Sequence, residues 1–325
     1  MGMTPSRRRA RQRGAALLLA MIVVVLVATL AAAALWRQWR GVEVESAERS
    51  RVQSAWILTG ALDWGRLILA GDARESNIDH LGEPWAMPLA EARLSTFLAA
   101  GDASAGTDRD AFLSGQITDL QSRLNVMNLL VGERAQAYQR FARLFASLGL
   151  PASELAALSD GLARADAAMK AGNTQAGDAP LLPRRFEQLA WLGLSPETLQ
   201  ALRPYVTVLP ASTAIVPVNL NTASAQVIYA ALPDIDLAGA RQLVAQRDRS
   251  PFQNTPNAAA QANLSAAADL SWASVQSNYF EIRGRLRLDD VALQEIAVVR
   301  RAGTSVTTLW RERVAITDMP PAPGG

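Results

Sequence analysis

The 325-residue sequence contains no cysteine and a single histidine, His80. Without a thiol, the chain can form neither a disulfide nor a thiolate metal site, and it has no cysteine nucleophile. A single histidine excludes a metal site or a proton relay that needs several histidines. The nucleophile motif G-x-S-x-G is absent as well. These absences remove the support for a hydrolase, and we expect that the protein is not an enzyme.

Charged residues are also absent between Gly14 and Arg37. Residues 15–35 are almost all apolar, and as a helix they would be about 31 Å long at about 1.5 Å per residue. That length matches the hydrocarbon core of a bilayer, which is about 30 Å thick. Five arginines precede the stretch and two follow it. We therefore predict one membrane span at residues 15–36, with the N-terminus in the cytoplasm and the rest of the chain outside.

Three kinds of N-terminal segment fit this stretch. The first is an uncleaved signal anchor, and the second is a secretory signal that is cut near the small residues 31–34. The apolar run exceeds the roughly 7–15 residues of a secretory signal, which disfavours the second. The third is a type IV pilin-like leader, a basic peptide that ends in glycine and is cut on the cytoplasmic side, here between Gly14 and Ala15. The stretch alone leaves the anchor and the leader open.

The charge of the chain is concentrated in the first 14 residues. The whole sequence carries +2, and residues 1–14 hold five arginines and no acid, so the remainder carries −3. A slightly acidic remainder argues against an extended nucleic-acid surface.

Helical periodicity without proline continues from the span to about residue 70. We expect one long helix, although the sequence does not settle whether it is continuous past Gly41. Residues 88–100 then predict a helix. Residues 111–130 predict a hairpin-like pair of strands with its turn at 119–122.

Short capped helices are predicted from residue 133 to residue 209. Ser153 and Ser195 are the expected N-caps of two of them, and proline follows Ser195 at the first helical position. Alternating apolar and polar residues near the C-terminus predict three returning strands, at 277–288, 291–300 and 306–316.

Residues 218–247 predict two helices joined by a tight turn. Thr222 or Ser224 would cap the first helix, and the turn reads P-D-I-D. This arrangement resembles the helix-hairpin-helix unit of nucleic-acid-binding proteins, whose turn usually reads L-P-G-I-G. Here Asp234 and Asp236 stand in the glycine positions, and two carboxylates would repel a phosphate. We therefore predict a helical packing unit and no nucleic-acid partner.

The order of these elements predicts an α+β protein, with a long N-terminal helix packed on an antiparallel sheet and a large all-α domain inserted between its strands. The predicted segments are a leader at 1–14, a transmembrane helix at 15–36 that continues to about 70, the first part of the sheet domain at 71–130, the inserted domain at 131–275, the returning strands at 276–318 and a disordered tail at 319–325.

Four motifs in this order carry a resemblance to a known family. They are the leader R-G-A, I-T-D-L-Q-S-R-L-N-V-M-N-L from Ile117, P-V-N-L-N-T-A-S from Pro217, and N-Y-F-E-I from Asn278 with L-Q-E-I-A-V-V-R-R after it. The sequence resembles the type II secretion system protein K family, the large minor pseudopilin, over nearly its whole length. The resemblance implies a pilin-like sheet on the long helix and an inserted all-α domain with a helix-hairpin-helix or SAM-like unit.

The resemblance also implies a function and partners. It implies a minor pseudopilin at the tip of the periplasmic pseudopilus of a Gram-negative bacterium, anchored in the inner membrane. The implied partners are the I, J and H type minor pseudopilins, through them the major pseudopilin, and the prepilin peptidase that would cut after Gly14. The alternative is a membrane-tethered helix-hairpin-helix DNA receptor of a competence system, which lacks the basic residues and glycines it needs.

The fifth residue after the expected cut is Leu19, where most pilin-like proteins carry glutamate. In a growing filament, the glutamate of each newcomer is thought to neutralise the N-terminal amine of the subunit above it. An unpaired charge in the bilayer raises the free energy by roughly several kcal/mol. A subunit without this glutamate can start a filament but is poorly suited to extend one, so Leu19 predicts the tip position.

Calcium binding is known in the family and needs several oxygen ligands. No cofactor is required by the sequence, and no dense acidic loop is visible in it. The weak calcium candidates are turn carboxylates: Asp234, Asp236, Asp289 and Asp290.

Overall fold

The structure is a computed structural model that describes residues 7–94, 111–172, 179–210, 213–265, 267–288 and 291–316. The predicted calcium candidates Asp289 and Asp290 and the predicted tail at 319–325 lie outside the described residues. The chain divides into two compact units, Met1–Ile57 and Leu58–Gly325.

A single helix, α1, runs from Arg7 to Glu75, which confirms one long helix through Gly41. In the first unit its large apolar side chains from Leu17 to Leu35 are 53–67% exposed. An apolar surface on all sides is typical of a helix in lipid. Among the described residues one helix, Ala15–Glu75, is long and apolar enough to cross a membrane, with a mean hydropathy of 2.9 in its most apolar part.

The second unit contains a five-stranded antiparallel sheet. Its strands are β1 (Leu89–Arg93), β2 (Ala111–Asp119), β7 (Tyr279–Leu288), β8 (Val291–Ala302) and β9 (Ser305–Ile316), in the order β1-β2-β7-β8-β9. The last three are the returning strands expected from the alternating pattern. Because β2 and β7 are neighbours, the whole stretch between residues 119 and 279 is inserted at the centre of the sheet.

The C-terminal part of α1 packs on this sheet. Leu58, Leu62 and Leu69 lie on one face of the helix and are at most 2% exposed. Between them, a Cβ atom on Gly65 would lie 2.8 Å from Cγ2 of Ile282, so the backbone of α1 approaches β7 at a distance that only glycine allows. Gly65 therefore permits a close helix–sheet contact within a continuous helix.

The inserted stretch is mainly helical and has its own core. Its helices are α2 (Arg134–Leu148), α3 (Ala152–Lys170), α4 (Pro196–Leu202), α5 (Ala225–Ala231), α6 (Leu237–Arg247) and α7 (Thr255–Gln261). Leu155, Leu158 and Leu162 of α3 face inward as predicted and are at most 1% exposed. Two short parallel pairs lie beside the helices: β3 (Leu124–Asn125) with β4 (Val206–Thr207), and β5 (Val218–Asn219) with β6 (Ala273–Ser274).

Two of the expected caps are confirmed and one is wrong. The Ser195 hydroxyl accepts a hydrogen bond from the backbone N–H of Thr198, and Ser224, one of the two candidates, caps α5. Ser153 is not a cap, because α3 begins at Ala152, before Ser153, and Pro151 stands at the N-cap. Proline fixes an extended entry into the helix without any side-chain bond.

One other expectation is wrong at its start, and a second is wrong. The predicted helix at 88–100 begins instead with strand β1, Leu94 is helical, and the rest from residue 95 lies outside the described residues. L-A-E-A-R favours a helix by composition, but its pairing with β2 overrides that preference. Residues 111–130 form no hairpin, because a 3-10 turn at Leu120–Ser122 redirects the chain and β3 pairs with β4.

The α+β class, with its long helix and antiparallel sheet, is confirmed. The domain boundaries expected at residues 130 and 275 stay a prediction.

Candidate functional site

Polar side chains that are buried or nearly buried gather where the sheet meets the inserted helical region, and we call this place the joint. Its members come from the end of α1, the loop after it, the end of β2, the end of β5 and the turn after it, the entry to β7 and the end of β8. They are Asp72, Asp79, Glu83, Asp119, Asn219, Thr222, Ser277 and Arg301.

Arg301 is the cation of the joint. Its guanidinium donates to Oδ2 of Asp72 at 2.8 Å, to both carboxylate oxygens of Asp79 and to the backbone carbonyl of Ser277 at 2.9 Å. It also stacks 4.8 Å above the ring of Phe280. Arg301 is 8% exposed and Asp79 is 1% exposed. This side chain therefore links β8 to the end of α1 and to the following loop through bonds shielded from water.

Asp119, at the end of β2, is the second centre of the joint. Its Oδ2 accepts bonds from the hydroxyls of Thr222 and Ser277, both at 2.6 Å, and from the side-chain amide of Asn219 at 3.1 Å. Its Oδ1 accepts the backbone N–H of Gln121 at 2.7 Å. All four donors are neutral. One carboxylate thus joins the sheet to the N-L-N-T turn of the helical region.

The acidity of these carboxyl groups reflects their burial. Burial raises the pKa of Asp119 to about 6, against the lowering effect of its hydrogen bonds from Ser277 and Thr222. Burial, and then the nearby charge of Glu83, raises the pKa of Asp72 to about 6. Burial also raises the pKa of Asp79, although Arg301 opposes it. The joint therefore holds more carboxylate charge than its one arginine can neutralise.

The amide side chains of the two central motifs extend the same bonding into the helical region. Asn125 accepts the backbone N–H of Leu209 at 3.0 Å, and Asn128 both donates to and accepts from the backbone of Val216. Asn221 does the same with the backbone of Phe252. The polar residues that carry the resemblance thus fix loops to each other, and they point to a structural role.

An apolar cluster supports the joint on the other face of the sheet. Leu120, Leu209 and Val216 pack against Val298 of β8. Nearby, Arg185 pairs with Glu312 of β9 at 2.5 Å and stacks on Trp310. The helical region is therefore held to the sheet by buried polar bonds on one side and by apolar packing on the other.

The described calcium candidates do not form an oxygen cage. Asp234 and Asp236 are exposed, and the Asp236 carboxylate caps α6 by accepting the N–H of Gly239 at 2.7 Å. Within the described residues, the acids that converge are instead Asp72, Asp79 and Glu83, and one carboxylate oxygen of each lies within 4.8 Å of the others. The guanidinium of Arg301 is the cation bound among them.

The predicted hairpin, α5 and α6, is fixed by arginines of α2. Arg143 donates to the carbonyls of Tyr229 at 3.0 Å, Leu232 at 3.3 Å and Ile235 at 2.6 Å, and Arg140 donates to that of Ala231. These two arginines therefore bind carbonyl groups of α5 and of the turn. The cap of α6, where a phosphate would approach the helix N-terminus, is the Asp236 carboxylate.

The predicted N-terminal residues lie along α1, in the first unit. Gly14 and Ala15 are consecutive residues of the helix, and Leu19, one turn further, is 65% exposed. Trp36 and Trp39 follow the apolar stretch with ring centroids 5.8 Å apart. Tryptophans at this place are typical of the membrane–water interface.

Family comparisons agree with the motifs. Two models described as "Type II secretion system (T2SS), protein K" match the chain, one over residues 122–211 and one over residues 218–282. The type II secretion system protein K of Pseudomonas aeruginosa is 28% identical over 270 residues, which are 75% of this chain and 76% of that protein. This chain belongs to the type II secretion system protein K family.

The fold agrees with that assignment. A chain of the crystal structure of the GspK-GspI-GspJ complex, from the type 2 secretion system of enterotoxigenic Escherichia coli, superposes with a TM-score of 0.64. The match covers 82% of this chain and 98% of that one, at 19% identity, and it supports the fold. As a protein K, this chain is a minor pseudopilin of the type II secretion system, and α1 fits its single-pass inner-membrane anchor.

The joint itself was not predicted from the sequence. Asp119, Asn219, Thr222 and Arg301 lie in motifs that were singled out, but Asp72 and Asp79 carried no signal of their own. The sequence does show polar residues inside apolar stretches, as in V-N-L-N and L-N-V-M-N-L. Such polar residues are often buried and hydrogen-bonded in the folded protein, and this pattern could have indicated the joint.

Proposed function

We propose that this minor pseudopilin takes the tip of a periplasmic pseudopilus and starts its assembly, for the export of folded proteins across the outer membrane. In this proposal the N-terminus lies in the cytoplasm before processing and the second unit lies in the periplasm. The protein acts as a structural subunit, without catalysis, cofactor or nucleic acid.

The observation that carries the tip position is the leucine at residue 19. After cleavage between Gly14 and Ala15, the new amine of Ala15 lies at the membrane and needs a carboxylate partner. A subunit added below can supply its own glutamate to this amine. Leu19 offers no carboxylate to an amine above it, so this chain can be first in a filament and is unsuited to later positions.

The attachment of the helical region supports the same position. More than 150 residues are inserted between β2 and β7, and the joint and the apolar cluster hold them to the sheet. A helical region that is held firmly to the sheet would obstruct a subunit placed above it. We propose that its partners are the I, J and H type minor pseudopilins and, through them, the major pseudopilin. The related structure, a complex of GspK with GspI and GspJ, supports the I and J type partners.

The absence of native cysteine gives a direct test of the tip position. Asp234→Cys, at an exposed residue of the helical region, provides one thiol for a gold label on assembled pseudopili. We expect one label at one end of each filament. A matched label on the major pseudopilin should decorate the whole length. Labels on this chain that repeat along the shaft would contradict the tip position.

The alternative of a competence DNA receptor has no observation in its favour. Titration of the full chain in detergent with a DNA duplex at low salt should give no binding. A measurable affinity for DNA that falls steeply with salt concentration would support the DNA-receptor alternative.

A further inference from the structure

The joint brings four carboxyl groups together around one buried arginine. Asp72 and Asp79 contact Arg301, Glu83 binds the indole N–H of Trp85 at 2.7 Å, and Asp119 is bound by neutral donors. Ser277 couples the two centres, because its N–H donates to Asp79 and its hydroxyl donates to Asp119. The carboxyl groups are thus close in space and short of positive charge.

The surroundings of Asp119 can accept either protonation state. Two of its donors are the hydroxyls of Thr222 and Ser277, and a hydroxyl can rotate to become an acceptor. A protonated Asp119 can therefore donate to one hydroxyl oxygen and keep its bonds from Asn219 and from the N–H of Gln121. Proton uptake needs no rearrangement of the backbone.

We propose that the joint is proton-linked: as the medium is acidified from pH 7 to pH 5, Asp119 and Asp72 take up protons and the helical region is held more firmly on the sheet. The proposal concerns the fold and holds whether or not the chain occupies a filament tip.

The direction of the change in stability with pH follows from the linkage between folding and proton binding. The pKa of both groups is raised from 3.8 to about 6 in the folded protein. A raised carboxyl pKa means that the folded state binds more protons than the unfolded state between these values, so stability rises as the pH falls. For each group, the ratio of folded to unfolded protein rises about tenfold from pH 7 to pH 5. The contribution is complete below about pH 4 and is lost as the pH rises through about 6.

Other charged groups face the joint and must be controlled. Asp72 faces Glu83, Asp79 and Arg301, and Asp119 faces Asp79 and Arg123. His80 lies in the same loop, with Nε2 3.9 Å from Oε1 of Glu83. Because histidine side chains commonly titrate between pH 5 and pH 8, a His80→Gln variant is needed as a control.

Hydrogen exchange of the full chain in detergent measures the joint directly. The amides of Leu220, Ser277 and Asn278 are bonded in or beside it, and protection factors correct for the intrinsic pH dependence of exchange. We expect these protection factors to rise about a hundredfold from pH 7 to pH 5, the product of two groups. A rise of only about tenfold is expected in Asp119→Asn and in Asp72→Asn, whereas exposed Asp234→Asn should keep the full rise.

Three results would overturn the proposal. One is a protection that stays flat or falls between pH 7 and pH 5 in the unmodified chain. Another is a full rise in both Asp119→Asn and Asp72→Asn. The third is a loss of the rise in His80→Gln, which would assign the proton to the histidine. If Asp119→Asn does not fold, the unmodified chain and Asp72→Asn still decide the question.

Discussion

Removal of the one guanidinium in the joint should be among the most damaging single changes outside the apolar core. Arg301→Met keeps an unbranched apolar side chain but removes the guanidinium, and with it the charge, every donor and the stacking on Phe280. Asp79, which is 1% exposed, would then be left with the N–H of Ser277 as its one remaining donor in the joint. Breaking a buried pair by removing one partner costs about 3–5 kcal/mol, since the other charge remains buried.

Two further variants test whether this magnitude arises from the buried pair. Arg283→Met removes an arginine whose side chain is 46% exposed and which pairs with Glu281, and such surface pairs are worth about 0–1 kcal/mol. Arg301→Met combined with Asp79→Asn removes both charges, so part of the loss should be recovered. Arg301→Lys keeps the charge but cannot reproduce the forked bonds to Asp72 and Asp79, so an intermediate loss is expected.

Denaturant unfolding of the full chain in detergent, followed by near-ultraviolet circular dichroism, measures these differences. The buried Trp85 packs edge-on against Phe280 at 5.3 Å and reports on the sheet side of the joint. The reasoning is refuted if Arg301→Met costs less than about 1 kcal/mol, or if Arg283→Met costs as much. A double variant no more stable than Arg301→Met would show that the buried charge of Asp79 is not the cause.

Three further changes test other parts of the structure. Gly65→Val should destabilise the second unit by about 1–3 kcal/mol in thermal unfolding, because the new side chain overpacks against Ile282. Gly60→Val is the control, since no atom lies near its Cβ position and no such clash is expected. Asn219→Ala removes four buried bonds, three donated by Nδ2 and one accepted by Oδ1, and should cost about 1–3 kcal/mol with increased hydrogen exchange at residues 217–222. Unchanged exchange there would contradict its role. Gly14→Val should leave the basic leader on the chain, as seen by electrophoretic mobility, and normal processing would argue against this cleavage site.

The parts of the fold with local causes could be predicted from the sequence. The long helix follows from continuous periodicity without proline, the Ser195 cap from its proline neighbour, and the pair α5 and α6 from caps on either side of a tight turn. In each case the signal lies within a few residues of the feature that it specifies.

The errors arose where distant partners decide the structure. Leu89–Arg93 has the composition of a helix, and it is a strand because β2 offers a pairing edge. Leu124–Asn125 pairs with Val206–Thr207, about 80 residues later in the chain, so no local pattern could reveal that pairing. Such non-local contacts override intrinsic preference, especially for strands.

The joint is non-local in the same sense. Asp79 and Arg301 are separated by more than 200 residues, and Asp119 and Ser277 by more than 150. The motifs showed that polar residues lie within apolar stretches, which predicts burial with bonded partners. The identity of those partners required the topology that places the helical region between β2 and β7.

The mass of the mature N-terminus tests the identity of this chain as a processed pseudopilin most directly. The protein should be purified from membranes of cells that contain the prepilin peptidase and analysed whole by mass spectrometry. The account predicts a chain that begins at Ala15, with or without a methyl group on its amine. An intact leader from Met1, or a chain cut near Ala33, would contradict it.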